Sequence, residues 1–377
     1  MIVRLLRDLT IENRFSMEKY ADRLVKYLKL VTDEIRIDEV VPEMVKTPQI
    51  LYILPKFNKI MNYYTRFIEY PRRLKKHYSN ADIFHIIDHG YSHLAYSLNN
   101  RKVVITCHDL IPLKNSKKEF GVTSISKIAL TAFRYSIQGL KKADKIIANS
   151  ETTKKDIIKH FQINEDKIKV VYLGVDENFK KIENQVLLAA FKNKYGISNG
   201  KKILHVGVNY AYKNIEGILK SLAILNNSMK TNVSLIKVGT DFTDAQKKLI
   251  RELNLTDRVI YLGILPDEEM PLVYNICDIL VYPSFYEGFC LPVVEAFACC
   301  LPVITSGAGS IPEVAGDSTV TINPFNEKEL ADAIKRLLND EILGATLKNK
   351  GLNRSKLFSW IKTAEQTLNV YKEVYEV

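Results

Sequence analysis

Two glutamates in the C-terminal half are spaced so that they could bind a sugar beside a phosphate. Glu287 follows the short β-branched run Ile279–Tyr282, which is typical of a buried strand, and Glu295 comes after seven further residues. Pro292 suits the first position of a helix, because its missing N–H would have no intrahelical acceptor there. We therefore expect Glu287 in a loop and Glu295 in the first helical turn. Free amides at a helix start attract phosphates, and carboxylates beside them bind hydroxyls, so the stretch predicts a site for a sugar and a phosphate together.

Two more residues with suitable chemistry follow predicted strands. The run Lys202–Gly207 reads as a strand that meets a glycine, and Lys213 precedes a predicted helix. Gly207 lets the backbone turn beside a ligand, and Lys213 adds a positive charge where a diphosphate would lie. His108 follows another predicted strand, where an imidazole can hydrogen-bond a sugar hydroxyl or a phosphate.

The string PSxxEGFxLPxxEAxA, which begins at Pro283, resembles the donor-binding signature of the retaining, GT-B-fold family 4 glycosyltransferases. The resemblance is dense in the C-terminal half and reaches a few landmarks in the N-terminal half. It implies that Glu295 holds the ribose hydroxyls of a nucleotide sugar and that Glu287 contacts the transferred sugar. It also implies donor contacts at the residues between them, namely Gly288, Phe289, Cys290 and Leu291. Without the resemblance, Glu295 would only be a helix-start carboxylate that stabilises the helix dipole.

Other landmarks of the same family can be matched one residue at a time. An equivalent histidine in the family points toward the donor sugar, which implies that role for His108. The family commonly has arginine before the lysine that Lys213 matches, but Tyr212 stands here, so the charge on the diphosphate would rest largely on Lys213. In relatives, residues that follow two of the strands pack around the base of the nucleotide. In this chain the corresponding residues are Gly239 and Ile264. The resemblance therefore implies His108, Lys213 and Glu287 as the catalytic residues.

Length and composition restrict the class of protein. A chain of 377 residues exceeds one ordinary core, and 46% hydrophobic with 26% charged residues is typical of a soluble protein. No apolar run approaches the ~20 residues of a membrane span, and the charged N-terminus does not fit a secretion signal, so we expect a cytoplasmic protein. Five cysteines lack zinc-site spacing, and no Asp-x-Asp pair is present. We therefore expect no metal and no cofactor, with protein groups neutralising the diphosphate.

Alternating apolar runs and helical segments predict an α/β protein. Short apolar strand runs occur at residues 2–6, 83–87, 103–106 and 145–148, and the same rhythm continues after residue 202. Residues 170–176 resemble the last strand of the family's first domain and the Gly-Val-Asp turn that follows it. With the resemblance, this pattern implies the GT-B fold, in which two Rossmann-like doubly wound domains face a central cleft. We expect an acceptor-binding domain at 1–180 and a nucleotide-sugar domain at 181–357. A final helix at 358–377 is expected to pack back on the first domain.

The charge of the chain is uneven. The net charge of +11 lies wholly in residues 1–190, since residues 191–377 hold equal numbers of acidic and basic side chains. Residues 56–80 carry seven Lys or Arg against the single acid Glu69, with aromatic residues at helical spacing. This segment could lie against an anionic membrane surface, or it could be a domain helix whose aromatic stripe packs inward. No nucleic-acid motif accompanies the charge, so we expect no nucleic-acid partner.

The segment Asp88–His93 also follows a predicted strand and contains two histidines. It could line the acceptor side of the site, or it could bind a metal, although no third ligand stands at a fitting spacing. The loop at residues 12–16 lacks the glycines that relatives have there, so no role is carried over to it.

Together these features predict a retaining glycosyltransferase that moves a hexose from a nucleotide-sugar donor to a glycan or lipid-linked glycan. Catalysis would come from holding both substrates and stabilising the departing diphosphate, chiefly through Lys213. The alternatives are a sugar-nucleotide epimerase of the same fold and a non-catalytic module that binds nucleotide sugars or glycans. In a glycosidase the two carboxylates would have to flank one glycosidic bond, which a loop glutamate and a helix glutamate beside a phosphate site do not fit.

Overall fold

The computed structural model describes residues 1–12, 14–44, 55–77, 80–116, 126–228 and 233–376. They form two compact units. The first unit contains most of the chain up to Tyr172 and the final helix from Trp360, and the second contains Leu173–Ser359. The domain borders predicted from the sequence lie a short way from these unit borders, at residues 180 and 358.

The first unit is built on a parallel sheet. Within the described residues its strands are β1 Ile2–Leu6, β2 Arg36–Val40, β3 Ile83–Ile86, β4 Lys102–Cys107, β5 Lys145–Ala148 and β6 Ile168–Val170, and they lie in the order β2-β1-β3-β4-β5-β6. All pairings are parallel, and β3 is buried along its whole length, as a sheet covered on both faces requires. The carboxyl ends of these strands share one edge of the sheet.

Most strand predictions in this unit are confirmed, one is wrong in its bounds, and one strand was not predicted. The resemblance implied a last strand that begins at Val170, and these bounds are wrong because β6 is Ile168–Val170. Strand β2 was not predicted, since its sequence RIDEV is mostly charged and its residues are largely exposed or half-buried at the sheet edge. Edge strands need not alternate apolar and polar residues in the way that buried strands do.

The helices of the first unit are α1 Phe15–Val31, α2 Pro55–Tyr64, α3 Tyr70–His77, α4 Ile111–Ser116, α5 Lys127–Ile137, α6 Glu151–Phe161 and α15 Trp360–Glu376. Helix α1 buries Tyr20, Leu24 and Leu28, as their helical spacing predicts. Helix α15 packs on α1, so the chain returns to the first unit at its end.

The basic segment 56–80 is helical from residue 56 to residue 77. A π-helical turn, Thr65–Glu69, joins α2 to α3. Tyr70 and Leu74 lie in the core and Arg66 is buried, whereas Ile60 is 63% exposed. The second half of the segment therefore packs inward, and the membrane-surface interpretation remains a hypothesis for the first half. None of the helices in the described part of the chain is long and apolar enough to cross a membrane.

The second unit has its own parallel sheet. Within the described residues its strands are β7 Lys201–Gly207, β8 Val233–Gly239, β9 Val259–Gly263, β10 Ile279–Tyr282, β11 Val303–Ser306 and β12 Val320–Ile322, in the order β12-β11-β10-β7-β8-β9. All are paired in parallel, so their carboxyl ends also share one edge. The predicted strands at 202–207 and 279–282 are confirmed to within one residue.

The helices of the second unit are α7 Gln185–Lys194, α8 Ile215–Ser228, α9 Asp244–Glu252, α10 Met270–Ile276, α11 Leu291–Ala298, α12 Ile311–Ala315, α13 Glu327–Asn339 and α14 Glu341–Ser355. Apolar residues of α8 and α13 pack with β7, β8 and β10 in one core cluster. The loops between strand ends and helix starts are thereby held at the carboxyl edge of the sheet, where ligands of doubly wound folds bind.

Candidate active site

Lys213 and Glu287 form a buried ion pair at the carboxyl edge of the second sheet. Lys213 follows β7 and Glu287 follows β10, and these two strands are neighbours in the sheet. The Lys213 Nζ atom lies 2.7 Å from Glu287 Oε1, and less than a tenth of either side chain is exposed. The structure therefore brings together two of the three predicted catalytic residues, although they are 74 positions apart in the chain.

Two tyrosines complete the surroundings of Lys213. Its Nζ donates a hydrogen bond of 2.6 Å to the Tyr282 hydroxyl, and it lies 4.8 Å from the Tyr282 ring centre and 5.2 Å from that of Tyr212. Burial and the nearby Glu287 carboxylate raise the pKa of Tyr282 well above its usual value, so this hydroxyl stays protonated. Tyr212, which stands where relatives commonly have arginine, thus contributes an aromatic face to the lysine.

Asn214 ties the start of α8 to two other loops at this edge. Its backbone is left-handed, with φ of 57°, and its Oδ1 accepts from the Gly217 amide at 3.2 Å. Its Nδ2 donates to the carbonyls of Pro283 and Pro324, which follow β10 and β12. A Cβ atom on Gly217 would lie 2.5 Å from Asn214 Oδ1, so a larger residue there would displace the Asn214 side chain. This side chain fixes the position of Lys213, its neighbour in the sequence.

The loop after β11 contacts the main chain of Glu287. The Ser310 amide and hydroxyl both donate to the Glu287 carbonyl at 3.1 Å. Gly309 has a φ of +61°, and a Cβ atom there would lie 2.6 Å from the same carbonyl oxygen. The sequence analysis assigned no role to these two residues, and the signal that could have found them is the glycine in the strand-exit loop at 306–313.

The chain from Gly288 to Leu291 presents main-chain amides beside the ion pair. No acceptor within the described residues is found for the amides of Gly288, Cys290 and Leu291. Cys290 is in the left-handed region at φ of 56°, and helix α11 begins at the next residue. Phe289 is 4% exposed and packs edge-on against Phe358, so its side chain points into the protein. These amides form a candidate cradle for an anion or for hydroxyl oxygens.

The start of α11 differs from the prediction in two details. Pro292 is the second residue of the helix and not the first, because Leu291 already has helical geometry. Glu295 is the fifth residue, so it lies beyond the first turn, where the helix dipole has little effect on it. The predicted first-turn position is therefore wrong. The Tyr274 hydroxyl donates to Glu295 Oε2 at 2.5 Å and orients the carboxylate.

Gly207 and Gly239 end two neighbouring strands side by side. They are paired in register, and both have a positive φ, of 146° and 116°. A Cβ atom on Gly239 would lie only 2.2 Å from the Gly207 carbonyl oxygen, so the close approach of the strand ends requires glycine. The buried Lys237 donates to the same carbonyl at 2.7 Å, and sequence analysis missed this residue. Ile264, just beyond the edge strand β9, is 63% exposed, and its predicted contact with the base remains a prediction.

His108 lies in the first unit, directly after β4. It is 4% exposed, its Nε2 donates to the Ile87 carbonyl at 2.8 Å, and the Tyr20 ring packs edge-on at 4.8 Å. Burial lowers the pKa of His108, so the ring is neutral near pH 7 with its proton on Nε2. This histidine can therefore accept a hydrogen bond at Nδ1, and it does not carry a positive charge to a phosphate.

The segment Asp88–His93 is held by contacts inside the first unit. His93 uses both ring nitrogens, with Nδ1 2.8 Å from Ser136 Oγ and Nε2 2.9 Å from the Arg66 carbonyl. Both nitrogens are thus occupied, which argues against His93 as a metal ligand. Among the described residues, no group of three or more His, Cys, Asp or Glu side chains is arranged to hold a metal ion.

A charged cluster lies at the carboxyl edge of the first sheet, between β1 and β3. Arg14 forms an ion pair with the fully buried Asp88, and Arg66 pairs with Glu12 at 3.0 Å. Burial, followed by the nearby Asp88, raises the pKa of the buried Asp8 well above its usual value. Arg14 lies in the loop at residues 12–16, to which the sequence analysis assigned no role. Its positive charge stabilises the carboxylate of Asp88.

Two sequence families match the chain in succession. Residues 30–179 match the family described as Glycosyltransferase Family 4, and residues 189–354 match Glycosyl transferases group 1.

The chain resembles curated mannosyltransferases over most of its length. It is 27% identical to the serotype-specific mannosyltransferase WbdA of Escherichia coli over 73% of this chain and 34% of that protein. It is 30% identical to the O-antigen chain mannosyltransferase B of Escherichia coli over 62% of each protein. The chain spans about a third of the length of the WbdA proteins that it matches.

The fold is shared with solved glycosyltransferase structures. The structure of Anabaena HepE in complex with UDP and glucose superposes with a TM-score of 0.75 at 19% identity, covering 99% of this chain and 100% of that one. The fold is thus that of the GT-B glycosyltransferases. The two family matches confirm the resemblance to group 1 and family 4 glycosyltransferases that was predicted from the sequence.

Proposed function

We propose that this protein transfers a hexose, with mannose the first choice, from a nucleotide-sugar donor to a glycan or lipid-linked glycan with retention of anomeric configuration. The observation that carries the proposal is the buried Lys213–Glu287 pair beside the main-chain amides of Gly288, Cys290 and Leu291. Mannose is favoured because relatives at 27–30% identity bear the name mannosyltransferase. A nucleotide donor is supported by the UDP complex of HepE, which shares the fold.

Each group at the site has a role in this proposal. Glu287 accepts hydrogen bonds from hydroxyls of the transferred sugar, and the amides from Gly288 to Leu291 donate to sugar and phosphate oxygens. Lys213 stabilises the charge that develops on the diphosphate as it leaves. Glu295, oriented by Tyr274, accepts hydrogen bonds from the ribose hydroxyls.

In the reaction we propose, the bond between the anomeric carbon and the diphosphate oxygen breaks while the acceptor oxygen bonds to that carbon. The acceptor proton passes to the leaving diphosphate on the same face of the sugar. Neither glutamate acts as a nucleophile in this scheme. The neutral His108 would accept a hydrogen bond from a hydroxyl of the donor sugar at Nδ1, and it needs no protonation to do so.

The donor diphosphate is neutralised by protein groups in this proposal, so activity should persist in EDTA. A loss of activity in EDTA that added Mg²⁺ or Mn²⁺ restores would contradict it. In this proposal the reaction takes place at the cytoplasmic face of a membrane, and the first half of the segment 56–80 is the candidate contact with that membrane. The exposed Ile60 and the net charge of the first half support that contact. Retention of the wild-type protein on anionic but not on neutral vesicles at low salt would support it, and equal behaviour on both would refute it.

The donor can be identified before the acceptor is known. A thermal-shift panel of GDP-, UDP- and ADP-linked hexoses should raise the unfolding temperature with one nucleotide family, because a ligand that binds only the folded state stabilises it by mass action. Slow release of free sugar from that donor would support an enzyme. Binding without any turnover, with mannose-containing acceptors also present, would instead favour a binding module. No shift with any nucleotide sugar would overturn the proposed function.

A further inference from the structure

Lys237 is a fully buried lysine in the interior of the second unit, beneath the strand ends of the candidate active site. It is the fifth residue of β8, and none of its surface is exposed. Its Nζ donates to the carbonyls of Gly207 at 2.7 Å, Thr240 at 3.1 Å and Val238 at 3.2 Å. All three acceptors are neutral main-chain oxygens at the exits of β7 and β8.

These three hydrogen bonds fix the direction of the peptide groups at the strand exits. In a trans peptide the C=O and the following N–H point in opposite directions. The carbonyls of Gly207 and Thr240 point in toward Lys237, so the amides of Val208 and Asp241 point away from it. No acceptor within the described residues is found for either of these amides. The lysine therefore turns two main-chain donors outward.

The charges around Lys237 do not neutralise it. Lys213, a cation whose charge acts on Lys237, is paired with Glu287, and this pair is formally neutral. Asp241 lies nearby but pairs with Lys247 at 2.6 Å. His205 lies opposite Lys237 in the register of β7 and β8. Burial, and secondly the Lys237 charge, lowers the pKa of His205 to about 3, so His205 is neutral. Within the described residues, no carboxylate comes within ion-pair distance of the Lys237 ammonium.

A buried cation that only carbonyls solvate is held at a cost. Burial, with the nearby Lys213 charge, lowers the pKa of Lys237 to about 8. An anion bound outside the Gly207 exit would offset that cost and favour the protonated form. A purely structural lysine at this depth would gain more from a carboxylate partner or from replacement by an apolar side chain.

We propose that Lys237 is a positioning residue for the diphosphate of the donor, turning the amides at the exits of β7 and β8 outward and supplying positive charge that no protein carboxylate neutralises. The inference rests on the proposed function, because it assumes a nucleotide diphosphate at this edge. Under this inference Lys237, on β8, is a second cation that acts on the diphosphate together with Lys213.

The test compares the binding of UDP, GDP and ADP with that of uridine, guanosine and adenosine by titration calorimetry. We expect Lys237→Met to weaken the diphosphate that binds the wild type by about tenfold and to leave the binding of its nucleoside unchanged. The matched control is Lys202→Met. Lys202 is another buried lysine, 2% exposed and bonded to the Gly200 carbonyl at 2.7 Å, but it lies at the opposite end of the same sheet. The control should bind the diphosphate as the wild type does.

A second measurement uses the wild-type protein and does not depend on the folding of a variant. At pH 8.5 diphosphate binding should take up a proton, because the anion raises the pKa of Lys237. The uptake is measured in two buffers of different ionisation enthalpy, and it should disappear in Lys237→Met and persist in Lys202→Met. The inference would be overturned if the wild type bound the diphosphate without taking up a proton, or if both variants lost diphosphate affinity equally. Either result would leave the proposed function standing. Failure of the wild type to bind any of the diphosphates would overturn both.

Discussion

At the scale of single residues, the buried pair Lys213–Glu287 is the feature on which the proposed chemistry depends. Breaking a buried ion pair from one side leaves an uncompensated charge, which costs about 3–5 kcal/mol, whereas an apolar replacement of both partners is often neutral. The catalytic and structural contributions of this pair can therefore be separated.

Lys213→Met should lower kcat/KM by about 10²–10³-fold and the free energy of unfolding by about 3 kcal/mol. The double variant Lys213→Met with Glu287→Leu should regain most of that stability and remain inactive. Denaturant unfolding and initial-rate assays measure the two effects. The exposed pair Lys220–Glu327 is the control, and Lys220→Met should change stability by less than about 1 kcal/mol. An active double variant would refute a chemical role for the pair.

The lowered pKa of Lys237 predicts how stability varies with pH. The folded chain releases this proton near pH 8, whereas the unfolded chain keeps it up to the ordinary value of 10.5. The unfolded state thus binds more protons between these values, and the contribution of Lys237 to stability rises with pH across the window. Lys237→Met should therefore be more stable than the wild type at pH 7, and the advantage should shrink toward pH 10. A difference that stays constant from pH 7 to pH 10 would contradict the lowered pKa.

At the scale of elements, the exit loop of β11 positions the loop after β10. Gly309 is close to the Glu287 main chain, whereas Gly196 has the same φ of +61° with nothing within 4 Å of the place that a Cβ atom would take. Substitutions at these two glycines therefore distinguish the effect of backbone strain from the effect of contact with the Glu287 main chain.

Gly196→Ala should cost about 1–2 kcal/mol of stability through its left-handed backbone and should leave kcat/KM unchanged. Gly309→Ala should cost more, because its methyl group would displace Glu287, and it should lower kcat/KM by at least tenfold. Thermal unfolding and rate measurements on both variants check this. Equal activity of the two variants would mean that the β11 exit loop does not position Glu287.

At the scale of the whole molecule, the last helix joins a unit that the chain left at Tyr172. The Tyr371 hydroxyl of α15 lies 2.6 Å from His85 Nδ1, and His85 Nε2 lies 2.7 Å from Thr106 Oγ1. Burial, followed by His108, lowers the pKa of His85 to about 3, so this network is neutral. Trp360, the one tryptophan in the sequence, packs against Tyr27 in the same unit and reports on its unfolding.

Tyr371→Phe should leave a buried nitrogen of His85 without its partner and lower the stability of the first unit by about 1–3 kcal/mol. Trp360 fluorescence in increasing denaturant measures the change. Tyr375→Phe, on the same helix but 49% exposed, should change stability by less than about 0.5 kcal/mol. The role of α15 would be refuted if the Trp360 transition were unaffected by Tyr371→Phe.

Patterns carried by consecutive residues were predictable. The strand run Ile279–Tyr282, the helical spacing of α1 and the motif from Pro283 were enough to predict the fold class and the family resemblance, because backbone periodicity and loop chemistry are local. The charged edge strand β2 was missed because its sequence lacks the apolar pattern of a buried strand.

The sequence by itself determined that Glu287 and Lys213 belong to strand exits of one parallel sheet, since each follows an apolar run that ends in a loop. Only the tertiary structure decided that they form an ion pair, that Ser310 and Gly309 support Glu287, and that Lys237 points beneath Gly207. The physical reason is strand order: β7 lies between β8 and β10, and this neighbourhood depends on how the whole sheet packs.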